Sequence, residues 1–98
     1  MKIRIFNQYV EKVTKLFGIE KDELFQKSKK RKVVDARHLL YYMCYNRPMR
    51  LRYIQDYMSE NEYEVGHSSI LHGIAQVERK IIEDGDYISI IDDMLLET

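Results

Sequence analysis

Residues 49–83 read MRLRYIQDYM-SENEYEVG-HSSILHGIAQVERKIIE, and the spacing of their apolar side chains decides how the chain folds. In the last block Ile70, Ile74, Val77 and Ile81 recur at offsets of 4, 7 and 11. That places them on one face of an α-helix and predicts a helix from about His67 to about Glu83. In the first block Leu51, Ile54 and Met58 are spaced for burial on a shorter helix, from about Met49 to about Met58. Between the two, Ser59 to Gly66 is polar and acidic and reads as a connection. A shorter helix, a connection and a longer helix opening on small polar residues is the sequence form of a helix-turn-helix. In that motif the N-terminal residues of the second helix meet base edges in the major groove of DNA. Here they are His67, Ser68 and Ser69. Serine hydroxyls donate or accept to either base type, an imidazole meets a base or a phosphate, and the free N–H groups of a helix N-terminus favour a phosphate. The same serines would equally serve to cap an ordinary helix.

Working outward, Ile3, Phe6, Tyr9, Val10, Val13, Leu16 and Phe17 fall at three- and four-residue spacing. They predict an amphipathic first helix of about four turns that Gly18 stops in the left-handed conformation. Asp22 to Gln26 suits one short helical turn, with Leu24 and Phe25 entering the core. Lys27 to Lys32 (KSKKRK) has no apolar anchor and predicts an exposed basic loop. Asp35 is placed to cap a helix from Ala36 to about Tyr45 that buries Leu39, Leu40 and Met43, and Asn46 and Pro48 end it. Downstream, Asp84-Gly85-Asp86 breaks the long helix, and Asp86 is placed to cap a last one reaching Leu96. The only β-like stretch is Tyr87 to Ile91 (YISII), and it is short. The expectation is one all-α domain over residues 1–98, with five main helices and a turn.

The 98 residues, 45% of them hydrophobic, suit one domain that buries roughly two-thirds of its unfolded surface. No apolar run reaches the roughly 18–20 residues that cross a bilayer, and the opening MKIRIF lacks the form of a signal peptide, so a cytoplasmic protein is expected. Formal charge cancels to zero, but unevenly. Residues 27–52 hold nine bases against Asp35 alone, a net of +8, and residues 53–98 hold two bases against eleven acids, a net of −9. A polyanion would feel that local field rather than the neutral total.

Other chemistry finds little support. His38, Cys44, His67 and His72 match no zinc spacing, so no metal is expected. Cys44, the single cysteine, excludes an internal disulfide and sits among apolar neighbours as a packing residue. Tyr41, Tyr42 and Tyr45 would stack on bases in a single-strand binder, or straddle core and surface with the ring buried and the hydroxyl wet. His72 serves either packing or a phosphate contact. No catalytic order of residues is present and no GxxxxGK[ST] string occurs, so neither an enzyme nor a nucleotide cofactor is expected.

Gly66 to Gly73 (GHSSILHG) resembles the recognition-helix string of the C-terminal DNA-binding domain of the bacterial replication initiator DnaA, Asp-His-Thr/Ser-Thr-Val/Ile-Ile/Leu-His-Ala. Lys29 to His38 (KKRKVVDARH) resembles that family's basic loop leading into a helix with an arginine near its start. Val13 to Ser28 is similar to the family's first helix and short turn in order and spacing, so the resemblance spans about residues 6–90. It implies that Lys29 or Arg31 reaches the adjacent minor groove, that Arg37 reads a base, and that His67, Ser68 and Ser69 read the major groove and grip flanking phosphates. His38 takes a position where the family has a polar contact residue, and Lys30 and Lys32 fit nonspecific phosphate contacts.

Three departures stand out. Gly66 replaces the family's acidic residue before the histidine, the family's Gly-Gly-Arg-type turn becomes SENEYEV with three glutamates, and the AAA+ ATPase portion is missing. The resemblance implies sequence-specific binding of double-stranded DNA in replication initiation or transcriptional control, in a bacterial cell or a phage-infected host. The alternative is a protein-interaction or phage accessory module that kept the fold, with a protein partner or a second copy of itself.

Overall fold

A computed structural model describes residues 2–96, Leu96 by its backbone alone. Among the described residues six helices follow one another: α1 (Lys2–Phe17), α2 (Lys21–Leu24), α3 (Arg31–Tyr45), α4 (Leu51–Glu60), α5 (His67–Glu83) and α6 (Gly85–Leu96). No strand occurs among the described residues, so the expected all-α class is the observed one.

The architecture is organised around α3. Val33, Ala36, Leu39, Leu40, Tyr41, Met43 and Cys44 are all buried, which needs cover on more than one face of that helix. α1 and α5 supply it, packing extensively on α3 and hardly on one another. From α1 come Phe6, Tyr9, Val10 and Val13, and from α5 come Ile70, Ile74 and Val77. Burying a large aliphatic side chain of this kind stabilises by about 1.5–3 kcal/mol. α4 leans on α1, α3 and α5 through Ile54 and Met58, and α2 closes the α1–α3 end with Leu24. α6 lies along α5 and inserts Ile91 and Met94, and the Lys12 ammonium donates to the Met94 carbonyl at 2.7 Å.

Three boundaries differ from expectation. α3 begins at Arg31 rather than Ala36, because Val33 is fully buried and anchors a first turn that KSKKRK alone does not reveal. Arginine and lysine are good helix formers, so an exposed basic run continues a helix once one apolar residue holds it. Asp35 consequently lies inside the helix, where it pairs with Lys80 at 3.0 Å instead of capping. α4 is shifted two residues, taking in Ser59 and Glu60 and leaving Met49 buried just ahead of it. At α6 it is the Asp84 carboxylate that accepts the Asp86 N–H, at 3.0 Å, and YISII is helical.

Two helices end in the same way with different residues. After α1 the Ile19 N–H bonds to the Thr14 carbonyl and the Gly18 N–H to that of Lys15, with Gly18 at φ +63°. After α4 the Tyr63 N–H bonds to the Met58 carbonyl and the Glu62 N–H to that of Ser59, with Glu62 at φ 63°. Both are Schellman ends, whose left-handed position favours glycine. A side chain there costs roughly 1–2 kcal/mol. Glu62→Gly is therefore expected to raise stability by about 1 kcal/mol in urea unfolding. An unchanged or lower midpoint would mean that the Glu62 side chain offsets its backbone strain.

Candidate nucleic-acid interface

The first turn of α5 is built to be exposed. Ile70 is fully buried and fixes the helix against the core, while His67, Ser68 and Ser69 immediately before it are all exposed. Gly66 holds the N-cap position in extended backbone (φ −90°, ψ 165°), and no side chain caps the helix. No acidic residue occupies the first turn. The N-terminal N–H groups and the positive end of the helix dipole are thus left open to an outside acceptor.

Of the three glutamates in SENEYEV, Glu60 ends α4 and Glu62 and Glu64 lie in the α4–α5 turn, which is tied back to the protein. Gln55 of α4 donates to the Val65 carbonyl at 2.9 Å, and the Ser59 hydroxyl donates to the Glu64 carboxylate at 2.7 Å. Lys27 reaches across from the α2–α3 loop, its ammonium donating to the Glu64 carbonyl at 2.6 Å and lying 4.0 Å from the centre of the Tyr63 ring. Of the three carboxylates, that of Glu64 is thereby held against α4.

Arg37 departs from the expectation. Only 7% exposed, it donates from Nε to the Leu24 carbonyl (3.0 Å) and from Nη1 to the Tyr63 hydroxyl (2.8 Å). Its Nη2 donates to the carbonyls of Gln26 (2.9 Å) and Ser28 (2.7 Å), and the guanidinium lies 4.9 Å from the Tyr63 ring centre. A guanidinium held this way does not reach a base edge. The side chain turns inward because the Leu24 carbonyl that closes α2 would otherwise be buried without a donor, and the part-buried carbonyls of Gln26 and Ser28 take up the rest of its fork. Arg37 shapes the basic loop rather than contributing to it.

Two clefts run between that loop and α5. One, of about 380 Å³, is bounded by Lys27, Tyr63 and Glu64 on one side and by Ser68, Ser69 and His72 on the other. The second, of about 210 Å³, lies between Lys29 and Arg31 on one side and Gln76, Arg79 and Lys80 on the other. They share His38 and His72, whose rings meet edge-on at 5.9 Å and 83°. Burial, and then the neighbouring His72, pushes the His38 imidazole below its ordinary range, with Lys80 and Arg37 adding to the effect and Asp35 opposing it. The close approach of α3 and α5 here depends on Gly73, where a Cβ would lie 2.7 Å from the His38 ring and 3.0 Å from that of Tyr41.

The structure thus places Ser68 and Ser69 on one cleft and Lys29 and Arg31 on the other, with His38 common to both and His67 on the same exposed turn as the serines; the two adjoining clefts form the candidate groove. Lys30 and Lys32 are exposed but line neither cleft. Arg79 joins the groove unexpectedly, donating to Gln76 at 2.7 Å. It belongs to the acid-rich part of the sequence, and the signal that would have found it is its helical spacing, since Ser68, His72 and Arg79 share a face of α5. Arg47 instead lines a cavity of about 350 Å³ between α1, α3 and α6.

The remaining candidates are structural. Cys44 is fully buried, and burial pushes its thiol up, away from the reactive thiolate. Tyr41 is buried and Tyr45 is 43% exposed, so they do not form a common stacking platform. Among the described residues no cluster of three metal-ligating side chains occurs, and no helix is long and apolar enough to cross a membrane. No family model, curated protein or solved structure matches the chain significantly.

Proposed function

We propose that the chain binds double-stranded DNA in a sequence-dependent way, with α4 and α5 as a helix-turn-helix, in replication initiation or transcriptional control. The observation that carries this is that the exposed, uncapped N-terminal turn of α5 borders one cleft, and that this cleft adjoins at His38 and His72 a second one where Lys29, Arg31 and Arg79 come together from distant parts of the chain. His67, Ser68 and Ser69 read base edges in the major groove. Lys29 and Arg31 reach the neighbouring minor groove, and Lys30 and Lys32 add nonspecific attraction to phosphates. Arg37 has no direct part.

The test is binding to a duplex carrying the DnaA-family box and to a scrambled duplex, each across a salt series. With six to eight phosphates neutralised, affinity falls on the order of a thousandfold or more between about 50 and 200 mM salt. Preference for the box falls by roughly 1–3 kcal/mol for each base contact removed in His67→Ala or Ser69→Ala. Absence of binding at low salt overturns the proposal. It would favour the interaction module instead, for which Ile82, 84% exposed among the acids of the α5 C-terminus, is the supporting observation.

A further inference from the structure

A helix in the major groove and a loop in the adjacent minor groove straddle the strand that divides those grooves. The sugar–phosphate backbone of that strand must therefore pass between the two elements. On this protein the space between the basic loop and α5 is the pair of clefts, and the place where they meet is His38 and His72. We propose that a backbone phosphate of the duplex seats on the His38–His72 pair, and that DNA binding takes up a proton there. This deepens the DNA-binding proposal and rests on it.

The surroundings of the pair favour this use over simple packing. His72 is exposed and His38 is half-buried, so the rings stand at the surface rather than inside it. Gly73 presents no side chain, which lets the His38 ring lie against α5 and reach the groove beside His72. The charged groups facing the pair sum to a positive field. On α3, Asp35 is neutralised by Lys80 of α5, and Arg37 is spent on carbonyls and Tyr63. On the turn, Glu64 directs its carboxylate to Ser59. Lys27, Lys29, Arg31 and Arg79 then leave a cationic surplus around two imidazoles, with Tyr41 and Tyr63 as their neutral neighbours.

In the free protein that surplus opposes a further proton, while the downward shift at His38 itself comes first from burial and then from the neighbouring His72. An arriving phosphate monoanion cancels it, and an imidazolium then donates a charge-assisted hydrogen bond. The proton comes from the buffer. Linkage sets the sign: the bound state holds more protons than the free state, so affinity rises as pH falls through the imidazole range. Stability of the free protein moves the opposite way. The lowered His38 value makes the folded state the poorer proton binder, so its contribution is complete above about pH 6.5 and is lost as pH falls.

The experiment is fluorescence anisotropy with a short mixed-sequence duplex at constant low ionic strength, between about pH 8 and pH 6. Proton uptake is read independently by calorimetry in buffers of different ionisation enthalpy. The association constant is expected to rise steeply, approaching tenfold per pH unit for one proton. His72→Gln, at an exposed position, should flatten the slope without affecting folding, and His38→Gln should do the same. The slope should survive in His67→Gln. Binding with no slope, or a slope that persists in both His72→Gln and His38→Gln, overturns this inference and leaves the DNA proposal standing. Failure to bind the duplex at any pH overturns both.

Discussion

Arg37→Ala is expected to lower the unfolding free energy by about 3–5 kcal/mol, a large loss for a single substitution. The side chain satisfies three backbone carbonyls, of Leu24, Gln26 and Ser28, and the Tyr63 hydroxyl. Truncation leaves the Leu24 carbonyl and the Tyr63 hydroxyl without that donor in a buried setting, where each unmet group costs roughly 1–3 kcal/mol, while the part-buried carbonyls of Gln26 and Ser28 turn to water. A domain of this size has about 5–15 kcal/mol in total, so a midpoint shift of roughly 15–30 °C follows. Arg37→Lys recovers little, because a single ammonium on a flexible stem does not reproduce the fork that reaches carbonyls on both sides. Urea unfolding followed by circular dichroism measures the loss. The DNA consequence is a weakening shared by all duplexes, since the basic loop loses its anchor. A loss under about 1 kcal/mol together with altered base preference would put Arg37 back among the residues that touch DNA.

The triple reversal Lys29→Glu, Arg31→Glu and Arg79→Glu should weaken duplex binding on the order of a thousandfold at low salt. It should also lower the salt slope by about 2.7, at roughly 0.9 for each phosphate that the variant no longer neutralises. All three side chains are exposed, and among the described residues the hydrogen bond forfeited is the one from Arg79 to Gln76. Stability is therefore expected to change by less than about 0.5 kcal/mol per site. The same change at Arg47, which lines the cavity between α1, α3 and α6, should cost less than about tenfold, because screening removes most of its influence on the groove. Equal losses from the triple variant and from Arg47→Glu would show that net charge, not the groove, governs binding.

How much of this was legible in advance varies with the physics of each element. α5 was readable nearly to the residue, because Ile70, Ile74 and Val77 form one buried stripe and Gly66 and Asp84 bracket it. α1 was readable for the same reason, with Gly18 marking its end. The start of α3 was not, because a lone Val33 beside four basic residues becomes a helix anchor only when the tertiary fold buries it. The turn at Glu62 was equally hidden, since a glutamate gives no local signal for the left-handed backbone that the packing of Tyr63 and Met58 imposes.

The candidate groove divides along the same line. The exposure of Ser68 and Ser69 follows from periodicity, because Ile70 and Ile74 must face the core, whereas His67, three residues before Ile70 on the same side of the helix, is exposed only because the fold leaves that end of α5 uncovered. The charge asymmetry is likewise a property of composition. Where individual cations go is not, since a charged side chain is placed by whatever partners the fold brings within reach. Arg37 found the open carbonyls closing α2 and was drawn inside, while Arg79, from the acidic part of the chain, was carried by one face of α5 to the basic loop. Helical periodicity is a local constraint between residues three or four apart, and the sequence by itself determined everything that depends on it: the all-α class, the order of the helices and the outward face of Ser68 and Ser69. Hydrogen-bond satisfaction and the closing of a groove join residues far apart in the chain, so only the tertiary structure decided which arginine holds the loop and which one faces the groove.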